Sequence, residues 1–203
     1  VAELMRLLVD VHDIPWRKAW ELTVGTLSYT NHTLLPEALE TWPVGLMERL
    51  LPRHMQIIYL INAQHLDALR ERGIHDVNLL RSVSLIEEGH GRRVRMGNLA
   101  FLGSHCVNGV SALHTGLMRE TVFTDLHSLY PKRISNKTNG ITFRRWLYQA
   151  NPQLTRLLVD HIGEELLDSP ETLLRQLEPY ADQPDFRARF AAQRLGNKKL
   201  LAR

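Results

Sequence analysis

Val94-Arg95-Met96-Gly97-Asn98-Leu99-Ala100-Phe101-Leu102-Gly103-Ser104-His105-Cys106-Val107-Asn108-Gly109-Val110 is the stretch that decides the fold class. Val94 to Leu102 is a mostly apolar run that reads as a buried strand ending at Gly103-Ser104. The small and polar residues through Gly109 read as a tight turn. Val110, Leu113, Leu117 and Met118 then recur at helical spacing. Strand, turn and helix make half of a βαβ unit. Downstream, Arg133 to Gly140 reads as a second strand closing in an Asn-Gly turn. The expected class is α/β, rich in helix and poor in strand. Ligands of open α/β sheets sit beyond the carboxyl ends of strands, which directs attention to residues 104–108 and 138–142.

Upstream of that stretch the pattern is helical. Glu3 to Val11 has a helical period. Asp13 reads as the N-cap of a helix with Pro15 in its first turn, running to about Ser28. Pro36 opens a short helix over Glu37 to Thr41, and Pro43 opens another through Leu51. The longest helix starts at Pro52, carries Ile57, Ile58, Ile61, His65, Leu66 and Leu69 on one stripe, and ends at Gly73. Asp76 to Val83 is a shorter one. After the second strand, Arg144 to Ala150 is helical, Asn151-Pro152 restarts the helix, and three more helical segments follow.

Composition narrows the function classes. Of 203 residues 44% are hydrophobic and 23% charged, which suits a packed globular chain and excludes a disordered tail or a coiled-coil rod. Lys and Arg number 25 against 22 Asp and Glu, a net charge of +3 that is too weak a field to imply nucleic acid. The single Cys106 excludes an internal disulfide and fits a reducing cytosol. No run approaches the roughly 18–20 apolar residues of a membrane span. Both ends, Val1–Val9 and Gly196–Arg203, lie inside helix-like runs, which predicts a piece of a longer polypeptide.

Few chemical constellations stand out. Among ten histidines, His105 and His114 are nine apart and His90 lies upstream; no pair shares a helix face, so no metal site is expected. Ser104 lacks the second glycine of a nucleophile elbow, and Gly103 to Gly109 lacks the lysine of a phosphate loop. No residue is assigned as catalytic. Tyr29-Thr30-Asn31-His32-Thr33 supports two readings equally. Five hydrogen-bonding side chains between apolar helices suit a neutral, hydroxyl-rich ligand; they equally suit a turn in which Asn31 or Thr33 ties the backbone. Arg144-Arg145-Trp146, after an Asn-Gly turn, lies either at a cleft or on a plain solvated face.

Four longer motifs then appear in order. Residues 29–40, YTNHTLLPEALE, resemble the TNHT-x-x-PEALE segment of α-glucan (glycogen, starch and maltodextrin) phosphorylases. Residues 51–58, LPRHMQII, are similar to their LPRH-x-QII helix, residues 103–110, GSHCVNGV, to their GSH-x-VNGV turn, and residues 136–146, NKTNGITFRRW, to their NKTNGITPRRW signature. The resemblance covers essentially the whole chain. It implies part of a two-domain GT-B architecture, with residues 1–139 ending the N-terminal Rossmann-like, glucan-binding domain. Residues 140–203 would form the hinge and the start of the coenzyme-binding domain. It also implies a cytoplasmic, homodimeric enzyme of glycogen degradation. With pyridoxal 5′-phosphate, that enzyme transfers terminal glucosyl units of an α-1,4-glucan to inorganic phosphate, giving glucose 1-phosphate.

The resemblance assigns roles residue by residue. His32 matches the histidine that hydrogen-bonds the sugar's 6-hydroxyl, and Asn139 the asparagine that shares it. Val110 matches a residue lining the glucose pocket, and Trp146 the tryptophan beside the coenzyme. Two departures stand out. Phe143 replaces the family proline, which is expected to loosen the following helical turn. None of Lys18, Lys132, Lys137, Lys198 or Lys199 has the glycine-rich context of the coenzyme lysine, which implies that this stretch alone does not turn over. The rival expectation is a catalytically dead assembly module that pairs with a complementary chain.

Overall fold

The structure, a computed structural model, describes residues 1–89 and 91–202, so His90 and Arg203 lie outside the described residues. Two compact units divide it, Val1–Asn139 and Gly140–Arg203.

The first unit opens with α1 (Ala2–Arg6), extended by a wider-wound turn over Leu7–Val11, and continues into α2 (Trp16–Thr26). Asp13 is not the N-cap of α2. Pro15 occupies that position with ψ 138°, because the residue ahead of a proline is driven out of the helical region and the helix cannot begin before it. Asp13 takes a left-handed φ of 51° in the preceding turn. β1 (Ser28–Thr30) follows where a loop was expected. β2 (Thr41–Pro43) takes the place of the end of the expected helix, of which one 3₁₀ turn over Pro36–Ala38 remains.

α3 (Val44–Leu50) and α4 (Pro52–Glu71) match the sequence pattern. α4 buries Met55, Ile57, Ile58, Ile61 and Leu69. Gly73, at φ 81°, takes the left-handed position past its end that a side chain would resist. Asp76 caps α5 (Val77–Val83) by accepting from the amides of Asn78 at 2.8 Å and Leu79 at 3.3 Å.

The fold-deciding stretch divides differently from its sequence reading. β3 (Ile86–Glu87) and β4 (Arg93–Arg95) are short, and α6 (Met96–Leu102) occupies most of the expected strand. A short apolar run does not separate buried helix from buried strand, and Met96, Leu99, Ala100 and Leu102 are good helix formers without a β-branch. The true strand is β5 (Cys106–Gly109), inside the expected turn. Its alternation is real: Val107 and Gly109 are buried, while Cys106 and Asn108 are half-buried. α7 (Ala112–Glu120), α8 (Thr124–Leu129) and β6 (Ile134–Asn136) complete a βαβ crossover.

β1, β5 and β6 form a parallel sheet with β5 in the centre, while β2, β4 and β3 form a small antiparallel one. The molecule is therefore α/β and helix-rich. Phe101 and Phe123, both buried, pack with ring centroids 5.5 Å apart; Tyr29 on β1 meets Phe123 edge-on at 6.2 Å. This aromatic contact joins the central sheet to its helical layer.

The second unit is helical. Residues 137–142 carry no regular structure, and a wide turn over Arg144–Gln149 precedes α9 (Pro152–Ile162). Asn151 caps α9, and Gly163 at φ 86° ends it. α10 (Pro170–Leu173) and α11 (Pro184–Leu201) follow, joined by 3₁₀ turns. Leu157, Leu158 and Leu166 make its small core.

Candidate functional site

The parallel sheet places three chain segments side by side at its carboxyl edge. β1 is in register with β5 through Thr30 opposite Asn108, and β5 with β6 through Gly109 opposite Asn136. The ladder continues past the strands. The Asn31 amide donates to the Asn108 carbonyl at 3.0 Å, the Lys137 amide to Gly109 at 3.0 Å, and the Asn139 amide to Val110 at 2.9 Å. His32, Val110 and Asn139 thus leave adjacent strands at one edge; strand spacing puts the outer two about 10 Å apart at their bases. No hydrogen bond joins their side chains. Trp146 belongs to the second unit, on the wide turn over Arg144–Gln149, where it is 68% exposed.

The β1 loop shows the turn reading of its polar run. Asn31 is buried. Its amide nitrogen donates to the Tyr29 hydroxyl at 3.1 Å and its oxygen accepts from the Thr33 amide at 3.1 Å. Thr33 in turn accepts from the Leu35 amide at 3.2 Å. The bonds that tie the turn are made by Asn31 and Thr33, which leaves His32 between them exposed and uncommitted.

The β5-to-α7 corner explains Gly109. A Cβ there would lie 2.9 Å from His114 Nδ1 and from Met118 Sδ, and closer still to Thr115 Oγ1. Only a bare backbone lets α7 start this close to the strand. Ser111 caps α7 by accepting from the His114 amide at 3.1 Å, and the Val110 amide donates to His114 Nδ1 at 3.2 Å. Thr115, Asn136 and Thr138 form a hydrogen-bonded chain that ties α7 to the segment leading to Asn139.

Sequence reasoning aimed at residues 104–108 for the wrong edge. Ser104 is buried ahead of β5, and His105 precedes it, so both stand at the sheet's amino end. Of that stretch only Asn108 reaches the carboxyl edge, where its Oδ1 accepts from Thr30 at 2.8 Å across the strands; His114 was weighed only as a metal ligand. The alternation of Val107 and Gly109 was the available signal for Asn108. Among the described residues no group of three His, Cys, Asp or Glu side chains could hold a metal ion. No helix of the described residues is long and apolar enough to cross a membrane.

Among the described residues the edge is a run of neutral amides and hydroxyls, with Lys137 its one charged side chain. Such a surface can orient a neutral polyol through paired donors and acceptors and has no group set for nucleophilic attack. Comparison with known proteins identifies the family. Residues 1–203 match the profile of the family described as carbohydrate phosphorylase. Over 183 residues the chain is 50% identical to the brain form of glycogen phosphorylase of Homo sapiens, covering 90% of this chain and 22% of that protein. Over 198 residues it is 48% identical to the muscle form of Bos taurus, covering 98% of this chain and 23% of that protein. The chain spans less than a quarter of the length of these relatives.

Proposed function

Because the chain belongs to the carbohydrate phosphorylase family, we propose that its carboxyl edge is the glucosyl-binding part of an α-1,4-glucan phosphorylase. In this reading residues 1–139 end the glucan-binding domain, and residues 140–203 begin the coenzyme-binding domain of a GT-B enzyme. That enzyme passes terminal glucosyl units to inorganic phosphate in the cytoplasm as a homodimer. His32 and Asn139 share one hydroxyl of the sugar, and Val110 lines its pocket. The observation that carries the reading is the backbone ladder at the sheet edge. It fixes where His32, Val110 and Asn139 emerge, so the side chains need only a short reach to meet one saccharide.

Pyridoxal 5′-phosphate, which the resemblance implies, would not be attached through this chain: its five lysines are exposed and none has the glycine-rich context of the coenzyme lysine, while Trp146 would stand beside the coenzyme. This chain's contribution is therefore binding and orientation: Asn31 and Thr33 hold the loop, His114 and Ser111 hold the Val110 corner, and His32 and Asn139 present the polar atoms. The sequence match to phosphorylases does not favour the assembly-module alternative.

The test is a chimera in which these residues replace the matching stretch of the bovine muscle relative. Phosphorolysis of maltodextrin is expected. His32→Ala is expected to lose about 1–3 kcal/mol of glucosyl recognition, roughly a 5- to 150-fold fall in kcat/KM. An unchanged kcat/KM in the variant contradicts the assignment.

A further inference from the structure

A cavity of about 630 Å³ opens at the opposite, amino end of the parallel sheet, within the size range of small-molecule sites. α2 contributes Trp20, Val24 and Gly25; α4 contributes Ile61 and His65; Arg133 lies immediately before β6. The walls are mostly apolar. The charges are unbalanced. Glu21, the one carboxylate on the lining, is already paired with the exposed Arg17 at 3.7 Å and Lys18 at 3.4 Å.

Arg133 is half-buried, with its guanidinium 4.6 Å from the centre of the Tyr130 ring. Its Nη1 donates to the carbonyls of Phe101 and Leu102, both at 3.3 Å. Among the described residues no carboxylate pairs with it, and its Nε–Nη2 edge makes no hydrogen bond. That edge is the geometry that receives a carboxylate through two parallel bonds. Arg72 stands on the same Tyr130 ring at 5.9 Å, adding a second positive charge. His65 hydrogen-bonds the Tyr130 hydroxyl through Nδ1 at 3.3 Å, while its Nε2 is buried without a partner. Burial, then Arg133 and Arg72, push its pKa down to about 4, so the ring is neutral and offers no counter-charge.

We propose that this cavity binds a small organic anion, a carboxylate on a flat apolar body, with the Nε–Nη2 edge of Arg133 receiving the carboxylate and Trp20 walling the apolar part. The site lies at the other edge of the sheet from the saccharide reading and does not depend on it.

The probe is benzoate, with benzamide as its neutral counterpart, titrated into the 203-residue chain while the Trp20 indole and Arg133 Nε signals are followed by NMR. Benzoate is expected to give saturable shifts at both, and benzamide to bind at least about tenfold more weakly. Arg133→Lys keeps the charge but loses the fork, and is expected to weaken benzoate by about tenfold. Gly25→Phe provides a variant that spares Arg133's carbonyl bonds. A Cβ at Gly25 meets nothing within 4 Å, so the ring fills the cavity while thermal stability is kept and binding is lost. No saturable shift, equal binding of benzamide, or undiminished binding in folded Gly25→Phe would each overturn the proposal.

Discussion

The two edges of one parallel sheet carry opposite chemistry. At the carboxyl edge, successive amides of residues 31, 137 and 139 continue the ladder outward. Apart from Lys137, the side chains beside them are neutral. At the amino edge, groups distant in sequence (Trp20, His65 and Arg133) close around a cavity with an unpaired guanidinium. The first edge is specified by backbone register and the second by side-chain packing. Register is rigid and local, so the first edge should fail abruptly when a strand corner is disturbed. Packing is distributed, so the second should respond in a graded way to charge and volume.

The largest expected effect is at the amino edge and depends on pH. His65 has a folded-state pKa of about 4 against an ordinary value near 6.5. Below pH 6.5 the unfolded chain takes up a proton that the folded chain refuses. Stability is therefore greatest above that pH and falls as pH drops towards 4, by up to about 3 kcal/mol. Urea denaturation at several pH values should show the slope, and His65→Gln should flatten it.

At the carboxyl edge, Gly109→Ala should cost about 1–3 kcal/mol, because the added methyl meets Thr115, His114 and Met118. Asn31→Ala should cost a similar or smaller amount, about 1–2 kcal/mol, by leaving the Thr33 amide and Tyr29 hydroxyl without their partner. Denaturation midpoints measure both; equal tolerance of Gly109→Ala and Gly25→Ala would erase the contrast between the edges.

The smallest effect is outside the sheet. Phe143 has φ −54°, within the range a proline fixes, so its backbone already adopts the conformation of the residue it replaces. The turn that follows, over Arg144–Gln149, is wide-wound, but Phe143's own φ does not depart from a proline's range. Phe143→Pro should stabilise by about 0.4–1 kcal/mol through the unfolded chain, visible as a small rise in Tm.

Legibility followed the same division. α4 and its glycine stop could be read because a long apolar stripe repeats often enough to define its period. β1 and β5, at three and four residues, are too short for alternation to accumulate, and their polar members Thr30 and Asn108 read as loop. α6 failed for a related reason: a short, mostly apolar run is too brief to separate a helical period from a strand's. The roles proposed for His32, Val110, Asn139 and Trp146 come from resemblance to longer motifs, although the Tyr29–Thr33 loop and Arg144–Trp146 stand out by residue type alone. The bond between Asn139 and Val110, and the meeting of His65 with Tyr130 and Arg133, have no local signature, since each pair is brought together by tertiary structure.

A double-mutant cycle on His32 and Asn139 in the phosphorylase chimera tests the central claim most directly, comparing glucosyl with 6-deoxyglucosyl transfer. If both side chains serve one hydroxyl, the parent rejects the deoxy sugar by as much as roughly 10⁴-fold. Either alanine variant then loses most of that discrimination, and the double variant loses little more than the worse single one. Full discrimination in both single variants, or strictly additive losses, would contradict a shared hydroxyl.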